Sequence, residues 1–220
     1  AQGSGVVSAK FLKLGANDFL AKPFSTEEFY ARVTQNIELM EFIEELRETA
    51  IRDPMTKLYN RRYFFEEGPK LLEEADKAGV PVTMAMIDID RFKDINDRFG
   101  HEAGDAVIVR VADFLTQAFG KSHVISRFGG EEFCVLAYGL SSDRSSRFFD
   151  DFRRLVEHSE VRCSGDRIRF TVSVGVVTGM HRSLDALIRE ADRLLYSAKR
   201  HGRNRVAAET PGRAETRSQA

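Results

Sequence analysis

The segment HVISRFGGEEFCVLAY, residues 123–138, constrains the fold of this chain more than any other stretch. Two apolar runs flank the Gly129–Gly130 pair, which is the pattern of two antiparallel strands joined by a tight turn. The chain is therefore expected to contain a sheet, and the two glycines are expected to permit the turn. Glu131 and Glu132 then lie side by side at its mouth. Adjacent carboxylates repel each other unless a cation is present, which indicates a metal site, with solvated surface acids as the alternative.

Helix and strand patterns continue through the main domain, which we place at residues 53–208. Apolar runs bounded by turn residues predict strands, and apolar residues every three or four positions predict amphipathic helices. A sheet covered by helices is the expected architecture, of the α/β or α+β class. Strands are predicted at 80–90 and 167–178, and helices at 101–119, 141–159 and 183–202, the last ending at Gly202.

The composition restricts the kinds of partner. The 220-residue chain has 42% hydrophobic and 30% charged residues, a balance typical of a globular protein with a core. Its formal net charge of −1 provides no basic field for nucleic acid. No apolar run reaches the length of a membrane span, and no signal-peptide pattern is present. Cys134 and Cys163 fit no metal-binding spacing, so we expect reduced thiols, a cytoplasmic location, and neither nucleic acid nor membrane as a partner.

Residues 1–24 differ from the main domain. Their sequence predicts a short helix ending at Gly15, a brief strand at residues 18–21, and then the Lys22–Pro23 pair. This arrangement resembles the C-terminal end of a response-regulator receiver domain, in which a Lys-Pro pair closes the last strand. The alternative is an ordinary strand that ends at a proline turn. The strands that would carry a phosphorylatable aspartate are missing, so the resemblance implies a receiver remnant, and a cognate histidine kinase as a partner.

Residues 25–52 predict one long linker helix, and residues 209–220, which lack an apolar pattern, predict a disordered tail. Ser25 is a suitable N-cap for the helix, and Glu28 three residues later occupies the capping-box position. Some of its apolar residues repeat with a period of about 3.5, which indicates a short coiled coil. Packing of the helix on its own domain is the alternative. The repeat consists of Leu39, Ile43, Leu46 and Ala50.

A second acidic position lies at the end of the strand predicted at residues 80–90. Asp88 and Asp90 are two residues apart, so in a strand their side chains share one face. Mg²⁺ takes oxygen ligands, usually one or two carboxylates, with substrate phosphates and water as the remaining ligands. If the hairpin lies beside this strand, Glu131 and Asp88 converge on one ion. The alternative is that the aspartates only cap the helix that follows.

Four motifs follow one another along the main domain: DPMTKLYNRRYF (53–64), DIDRFKDINDRFGHEAGD (88–105), GGEEF (129–133) and ADRLLYSAKRHGRNR (191–205). In this order they resemble the GGDEF domain, the catalytic domain of diguanylate cyclases. The resemblance implies a palm-like nucleotidyl cyclase fold with a mostly antiparallel central sheet. It also implies that two GTP molecules, one on each copy of a homodimer, condense to cyclic di-GMP and release pyrophosphate. Mg²⁺ is the implied cofactor, and an upstream receiver domain the implied regulator.

The resemblance implies a catalytic role for the acids. Asp88, the backbone carbonyl of Ile89 and Glu131 match the Mg²⁺ ligands. Glu131 would also help to deprotonate the attacking 3′-hydroxyl, and Glu132 would lie beside the metal site. Metal coordination lowers the pKa of that hydroxyl and neutralises charge at phosphorus, which are the two demands of phosphoryl transfer. The glycines before Glu131, which have no side chains, would let the nucleotide approach the backbone closely.

Other matching residues would bind GTP. Asn96 and Asp105 match the positions that bind guanine, whose N1–H and 2-amino donors suit a carboxylate and are absent from adenine. His101 would lie near the ribose or base, or else brace the loop. Asp53 matches a position that joins the linker to the domain. The residues that match the phosphate contacts are Phe92, Lys93, Lys199 and Arg203.

One family feature is missing from this sequence. Many GGDEF domains carry an Arg-x-x-Asp site that binds the product and inhibits the enzyme. The matching positions are Gly120 and His123, which supply neither a guanidinium nor a carboxylate, so no inhibitory product site is expected. Two alternatives to this activity stay open. One is a catalytically inactive GGDEF domain that serves as a nucleotide-binding or adaptor module. The other is a cyclase with a different product, such as a class III adenylyl cyclase, against which Asn96 and Asp105 favour guanine.

Overall fold

The chain divides into two compact units, Ala1–Ala50 and Ile51–Ala220. The helix predicted before Gly15 and the tail predicted beyond Glu209 lie outside the described residues. Within the described part of the chain, no helix is both long enough and apolar enough to cross a membrane. The computed structural model describes residues 14–16, 18–120, 123–180 and 182–209.

Helix α1 (Thr26–Ile51) confirms the long helix predicted near the N-terminus. Ser25 caps it, because its Oγ accepts a hydrogen bond from the backbone N–H of Glu28 at 3.0 Å. None of the residues of α1 is buried. The strand predicted at residues 18–21 is not formed. A strand needs a hydrogen-bonded neighbour, and the described residues of this unit contain no other strand.

The second unit contains eight strands in its described residues: β1 (Tyr59–Asn60), β2 (Val82–Ile89), β3 (Val124–Arg127), β4 (Glu132–Tyr138), β5 (Val161–Cys163), β6 (Asp166–Ile168), β7 (Val172–Gly179) and β8 (Val206–Ala208). Six of them form one sheet in the order β1–β3–β4–β2–β7–β8. The four central strands are antiparallel neighbours, while β1 and β8 add a parallel strand at each edge. This arrangement confirms the predicted hairpin and the mostly antiparallel sheet.

The helices of this unit are α2 (Arg61–Ala78), α3 (Phe92–Phe99), α4 (His101–Phe119), α5 (Ser142–Glu157) and α6 (Leu184–Arg200). Side chains of β2 alternate between the two faces of the sheet. Ala85 and Ile87 belong to an apolar core shared with α4 and α5, whereas Met84 and Met86 belong to one shared with α2 and α6. Because β2 is buried on both faces, its sequence is a continuous apolar run.

One predicted element is wrong, and one helix was not predicted. Residues 167–178 do not form one strand, because β6 pairs with β5 in a separate two-stranded sheet and β7 begins at Val172. Val172 lies opposite Ile89, where β2 ends, so the residues before it have no neighbour on β2. The sequence also did not reveal α3 as a helix separate from α4. Gly100, with φ of +85°, divides the two.

Candidate active site

The residues predicted to bind a metal lie where β2 ends beside the start of β4. Asp88 on β2 is paired with Glu132 on β4 in the antiparallel ladder. One residue further on, the backbone N–H of Ile89 donates to the carbonyl oxygen of Glu131 at 3.3 Å. The hairpin therefore lies directly beside β2. This is the arrangement in which the sequence predicts that Asp88 and Glu131 converge on one ion.

The turn between β3 and β4 is closed by the backbone N–H groups of Phe128 and Gly129, which donate to the carbonyl oxygen of Glu132 at 2.8 and 3.2 Å. Gly129 and Gly130 are not among the residues with positive φ, so the turn at these glycines does not use the left-handed backbone conformation. A Cβ on Gly129 would lie 2.6 Å from Oε2 of Glu132, whereas a Cβ on Gly130 would meet nothing within 4 Å. Gly129 thus leaves room for the Glu132 carboxylate, and the space around Gly130 is open.

Arg127 anchors this turn, a role that the sequence did not reveal. Its Nε and Nη2 donate to the carbonyl oxygen of Gly130 at 3.0 and 2.8 Å, and its Nη1 donates to both carboxylate oxygens of Asp53 at 3.3 and 3.2 Å. Partial burial alone would raise the pKa of Asp53, but hydrogen bonds from Thr56 and the charge of Arg127 outweigh burial and lower that pKa. Asp53, at the start of the domain, is thereby linked to the turn that carries Glu131.

Lys199 on α6 contacts the predicted metal ligand Asp88, with 2.7 Å between Nζ and Oδ2. The side chain of Asp88 is only 8% exposed. Burial raises the pKa of Asp88 to about 6; the hydrogen bond and charge of Lys199 oppose this rise, and the negative charges of Glu131 and Glu132 add to it. The position combines several negative charges with little water, which favours a bound cation.

The donor types at this position fit Mg²⁺. The predicted ligands are the carboxylates of Asp88 and Glu131 and the backbone carbonyl of Ile89. All are hard oxygen donors, which suit Mg²⁺, whereas softer metals prefer nitrogen or sulfur ligands. Among the described residues, no group of three or more His, Cys, Asp or Glu side chains is placed to hold a metal by itself. An ion at this site would therefore depend on substrate phosphates and water for its remaining ligands.

Asp90 has different surroundings from Asp88. Its carboxylate accepts hydrogen bonds from the hydroxyl groups of Thr171 and Ser173 at 2.7 and 2.6 Å, and from the backbone N–H of Asn204 at 2.9 Å. It does not cap the helix that follows, because α3 has no side-chain cap. Asp90 therefore binds neighbouring protein groups, while Asp88 faces Lys199.

Asn96, predicted to bind guanine, lies on α3 with its Oδ1 atom buried and without a hydrogen-bond partner. A Cβ on Gly104 of α4 would overlap this oxygen, so the glycine makes room for the amide. A buried acceptor without a donor is costly, which indicates a ligand donor such as the N–H groups of guanine. Asp105 and His101, the other residues predicted near the base, are exposed in the first turns of α4.

The residues predicted to bind phosphate come from two parts of the fold. Phe92 and Lys93 begin α3, directly after Arg91, whose φ is +54°. Because no side chain caps α3, its first backbone N–H groups are available to an anion. Arg203, from the loop after α6, lines a cavity of about 620 Å³ together with Arg91 and Asp94. Lys93 and Arg203 are both exposed.

The positions of the missing inhibitory motif lie at the end of α4. Gly120 is the C-cap of α4 and has a φ of +62°. The ring of His123 packs edge-on against Phe119 and Tyr138, with centroids 5.8 and 5.9 Å apart. Burial lowers the pKa of His123, which keeps the imidazole neutral at cellular pH. Neither residue supplies a charge to a ligand.

Comparison with known families and proteins identifies similar sequences. Residues 50–205 match the family model described as "Diguanylate cyclase, GGDEF domain". Response regulator PleD of Caulobacter vibrioides is 35% identical over 208 residues, which cover 90% of this chain and 46% of PleD. Diguanylate cyclase DosC of Escherichia coli K12 is 34% identical over 178 residues, which cover 79% of this chain and 39% of DosC. The chain thus spans less than half the length of either relative.

A similar solved structure comes from Caulobacter crescentus. It contains the coiled coil and GGDEF domain of DgcB in complex with c-di-GMP. The TM-score is 0.76 at 31% sequence identity, and the match covers 84% of this chain and all of the DgcB chain.

Proposed function

Because the chain belongs to the GGDEF family of diguanylate cyclase domains, we propose that it condenses two GTP molecules into cyclic di-GMP and releases pyrophosphate. The observation that carries this proposal is the meeting of β2 and the β3–β4 turn, which brings the backbones of Asp88, Ile89 and Glu131 together. The open space at Gly130 leaves a path for a nucleotide to reach them.

Magnesium would be held by Asp88, Glu131 and the backbone carbonyl of Ile89. When bound, Mg²⁺ lowers the pKa of the attacking hydroxyl and neutralises charge at the α-phosphate. Glu131 accepts the proton of the 3′-hydroxyl, with Glu132 beside it. Lys199 pairs with Asp88 in the protein without ligand and would turn toward the phosphates once that carboxylate binds a metal.

Guanine would be bound by Asn96 and Asp105. The unpaired Oδ1 of Asn96 is a ready acceptor for a base N–H, and the Asp105 carboxylate accepts from the N1–H and 2-amino groups. His101 would lie near the ribose or base. The β- and γ-phosphates would lie at the uncapped start of α3, near Phe92 and Lys93, with Arg203 as a further cationic contact.

The reaction needs two copies of the chain, because each domain holds one GTP whose 3′-hydroxyl attacks the α-phosphate of the other. Helix α1 offers a surface for pairing. Leu39, Ile43 and Leu46 are each 54% exposed although they are apolar, and they follow a coiled-coil spacing. The similar DgcB structure contains a coiled coil together with its GGDEF domain, which supports a homodimer through α1.

An upstream receiver domain would regulate the cyclase. PleD is a response regulator, and the region similar to it covers 90% of this chain. The Lys22–Pro23 pair before α1 is the sequence feature that fits such a receiver. A cognate histidine kinase would then be the source of the signal, and the cytoplasm the place where it acts.

The test is to incubate the protein with GTP and Mg²⁺ and to identify the products by mass spectrometry. We expect cyclic di-GMP with two pyrophosphates for each molecule formed, and no cyclic product from ATP. A Glu131→Gln variant serves as the control for contaminating cyclases. Binding of GTP without turnover would contradict the proposal and indicate a binding module, and a different cyclic nucleotide would contradict the assigned substrate.

A further inference from the structure

The loop after α6 has an unusual backbone conformation at the residue predicted to bind phosphate. Gly202, Arg203 and Asn204 have consecutive φ values of +111°, +61° and +45°. Residues with side chains rarely adopt positive φ, and two of these three are not glycine. Such a turn persists only where the surrounding structure holds it.

Asn204 is the residue through which the turn is held. Its backbone N–H donates to Oδ2 of Asp90 at 2.9 Å, and its Nδ2 donates to Oε1 of Glu157 at 2.7 Å. Its Oδ1 accepts a hydrogen bond from Nη1 of Arg153 at 2.8 Å. The backbone N–H is therefore engaged by Asp90, directly after β2, and both ends of the side-chain amide are engaged by residues of α5.

Arg153, on α5, is a buried charge whose partners explain its burial. The residue is 8% exposed. Its Nε donates to Asp150 at 2.9 Å, and the Nη1 that contacts Asn204 also donates to Glu157 at 2.7 Å. A buried guanidinium is costly unless it is paired with carboxylates and fully hydrogen-bonded. Here the same group also reaches a residue 51 positions away in sequence.

Asp90 fixes the opposite side of the turn and connects it to the end of β2, where Asp88 and Ile89 lie. It is 6% exposed, and its carboxylate also accepts from the hydroxyls of Thr171 and Ser173. Asp90 follows the predicted metal ligands Asp88 and Ile89 in the chain. The turn is thus tied directly to the end of the strand that carries the metal site.

Arg203 has no comparable support of its own. In the part of the chain that the structure describes, its guanidinium makes no hydrogen bond or ion pair; only its backbone is engaged, with its N–H donating to Ala198 at 3.1 Å. Its side chain is exposed and lines the 620 Å³ cavity beside Arg91 and Asp94. The direction in which it extends is set by the backbone of the turn.

We propose that Arg153 is a positioning residue for the cyclase reaction: through Asn204, and against Asp90, it holds the left-handed turn that directs Arg203 toward the phosphates of GTP. This inference rests on the proposed function, because it assigns the anion as a nucleotide phosphate. Arg153 itself touches no substrate, and its effect passes through the backbone of residues 202–204.

The decisive variant is Asn204→Gly. Glycine keeps the left-handed conformation and the N–H that binds Asp90, so only the side-chain contacts to Arg153 and Glu157 are lost. Arg153→Met removes the guanidinium from the other side, but it also removes the ion pairs with Asp150 and Glu157 and places an apolar side chain among polar groups, so it is at risk of not folding. Arg154→Met is the matched control, because Arg154 pairs with the same Asp150 at 2.9 Å and has no contact with Asn204.

The measurement is calorimetric titration of a non-hydrolysable GTP analogue into each protein with Mg²⁺, combined with the KM and kcat of the turnover reaction. Asn204→Gly should weaken analogue binding and raise KM by about tenfold, the size of one charge-assisted contact. Arg154→Met should bind like the wild type. In an Arg203→Ala background, Asn204→Gly should have no further effect on binding, because the side chain that it positions is gone.

The outcomes separate this inference from the proposed function. The positioning role would be overturned if Asn204→Gly weakened analogue binding equally in the presence and absence of the Arg203 side chain. It would also be overturned if Arg154→Met weakened analogue binding as much as Asn204→Gly does. Neither outcome would contradict the cyclase activity. Analogue binding that shows the expected coupling, in a protein that makes no cyclic di-GMP, would support positioning and contradict the activity. No analogue binding by the wild type would overturn both.

Discussion

The guanidinium of Arg127 donates two hydrogen bonds, at 3.0 and 2.8 Å, to the carbonyl oxygen of Gly130, the residue that precedes the predicted metal ligand Glu131. The third nitrogen of the same group binds Asp53. One side chain thus holds the β3–β4 turn and the start of the domain together, and the position of the predicted metal ligand Glu131 depends on both.

Replacing Arg127 by lysine should lower kcat more than stability. Lysine keeps a positive charge near Asp53, but it lacks the planar fork that binds the Gly130 carbonyl from two nitrogens. Misplacement of Glu131 should then reduce kcat by about ten- to a hundredfold. Arg193→Lys, in an exposed ion pair with Glu190 on α6, is the control. An Arg127→Lys enzyme with normal kcat would show that the turn needs no such anchor.

The Asp53–Arg127 pair should make stability depend on acid pH. The pKa of Asp53 is lowered from 3.8 in the folded protein, so its carboxylate contributes stability above pH 3.8 that is lost as the pH falls through the folded pKa. The difference in Tm between wild type and Asp53→Asn should therefore be largest well above pH 3.8 and shrink below it. Asp113→Asn, at an exposed position on α4, is the control for removing a surface carboxylate. A constant Tm difference across this range would argue against the ion pair.

Glu131→Gln should abolish most turnover without unfolding the protein. The amide has the same shape as the carboxylate, but it is uncharged and a poorer ligand for a hard cation. We expect kcat to fall by orders of magnitude while Tm stays near that of wild type. Glu73→Gln, at an exposed site on α2, is the control. Normal production of cyclic di-GMP by Glu131→Gln would refute the metal assignment.

Gly104→Ala should weaken GTP binding by displacing Asn96. The added methyl group would overlap the Asn96 amide, which is the end of a flexible side chain and can move aside, so the fold should survive. Loss of one base contact should raise KM by about five- to thirtyfold, the equivalent of ~1–2 kcal/mol. In an Asn96→Ala background there is no amide to displace, so Gly104→Ala should then change KM little. If the two substitutions have additive effects on KM, Gly104 does not act through Asn96.

Lysine at both Ile43 and Leu46 should weaken pairing of two copies through α1. Both residues are apolar and exposed, and a coiled-coil seam does not tolerate facing charges at these positions. Specific activity should fall most at low protein concentration, where the homodimer dissociates. Glu45→Lys, on the same helix but outside the seam, should retain wild-type activity. If the specific activities of the wild type and of the double lysine variant are both independent of protein concentration, dimerisation does not control the activity.

The sequence alone was enough to predict the start of a helix and the strands of a hairpin. Ser25 predicted the start of α1, and the apolar runs on either side of Gly129 predicted β3 and β4, because caps, turns and apolar periods act between residues close in the chain. The order of four motifs likewise indicated the GGDEF family and its sheet before any contact was known.

Only the tertiary structure decided which partners these residues have. Arg127 meets Asp53 from 74 positions away, and Arg153 meets Asn204 from 51 positions away. Local patterns carry no signal for such pairs, because they form only after the sheet brings distant elements together. Only the packing likewise shows that Gly129 leaves room for the carboxylate of Glu132. The spacing of apolar residues along the sequence determines the helices and strands of this protein, whereas packing between these elements determines what each polar side chain does.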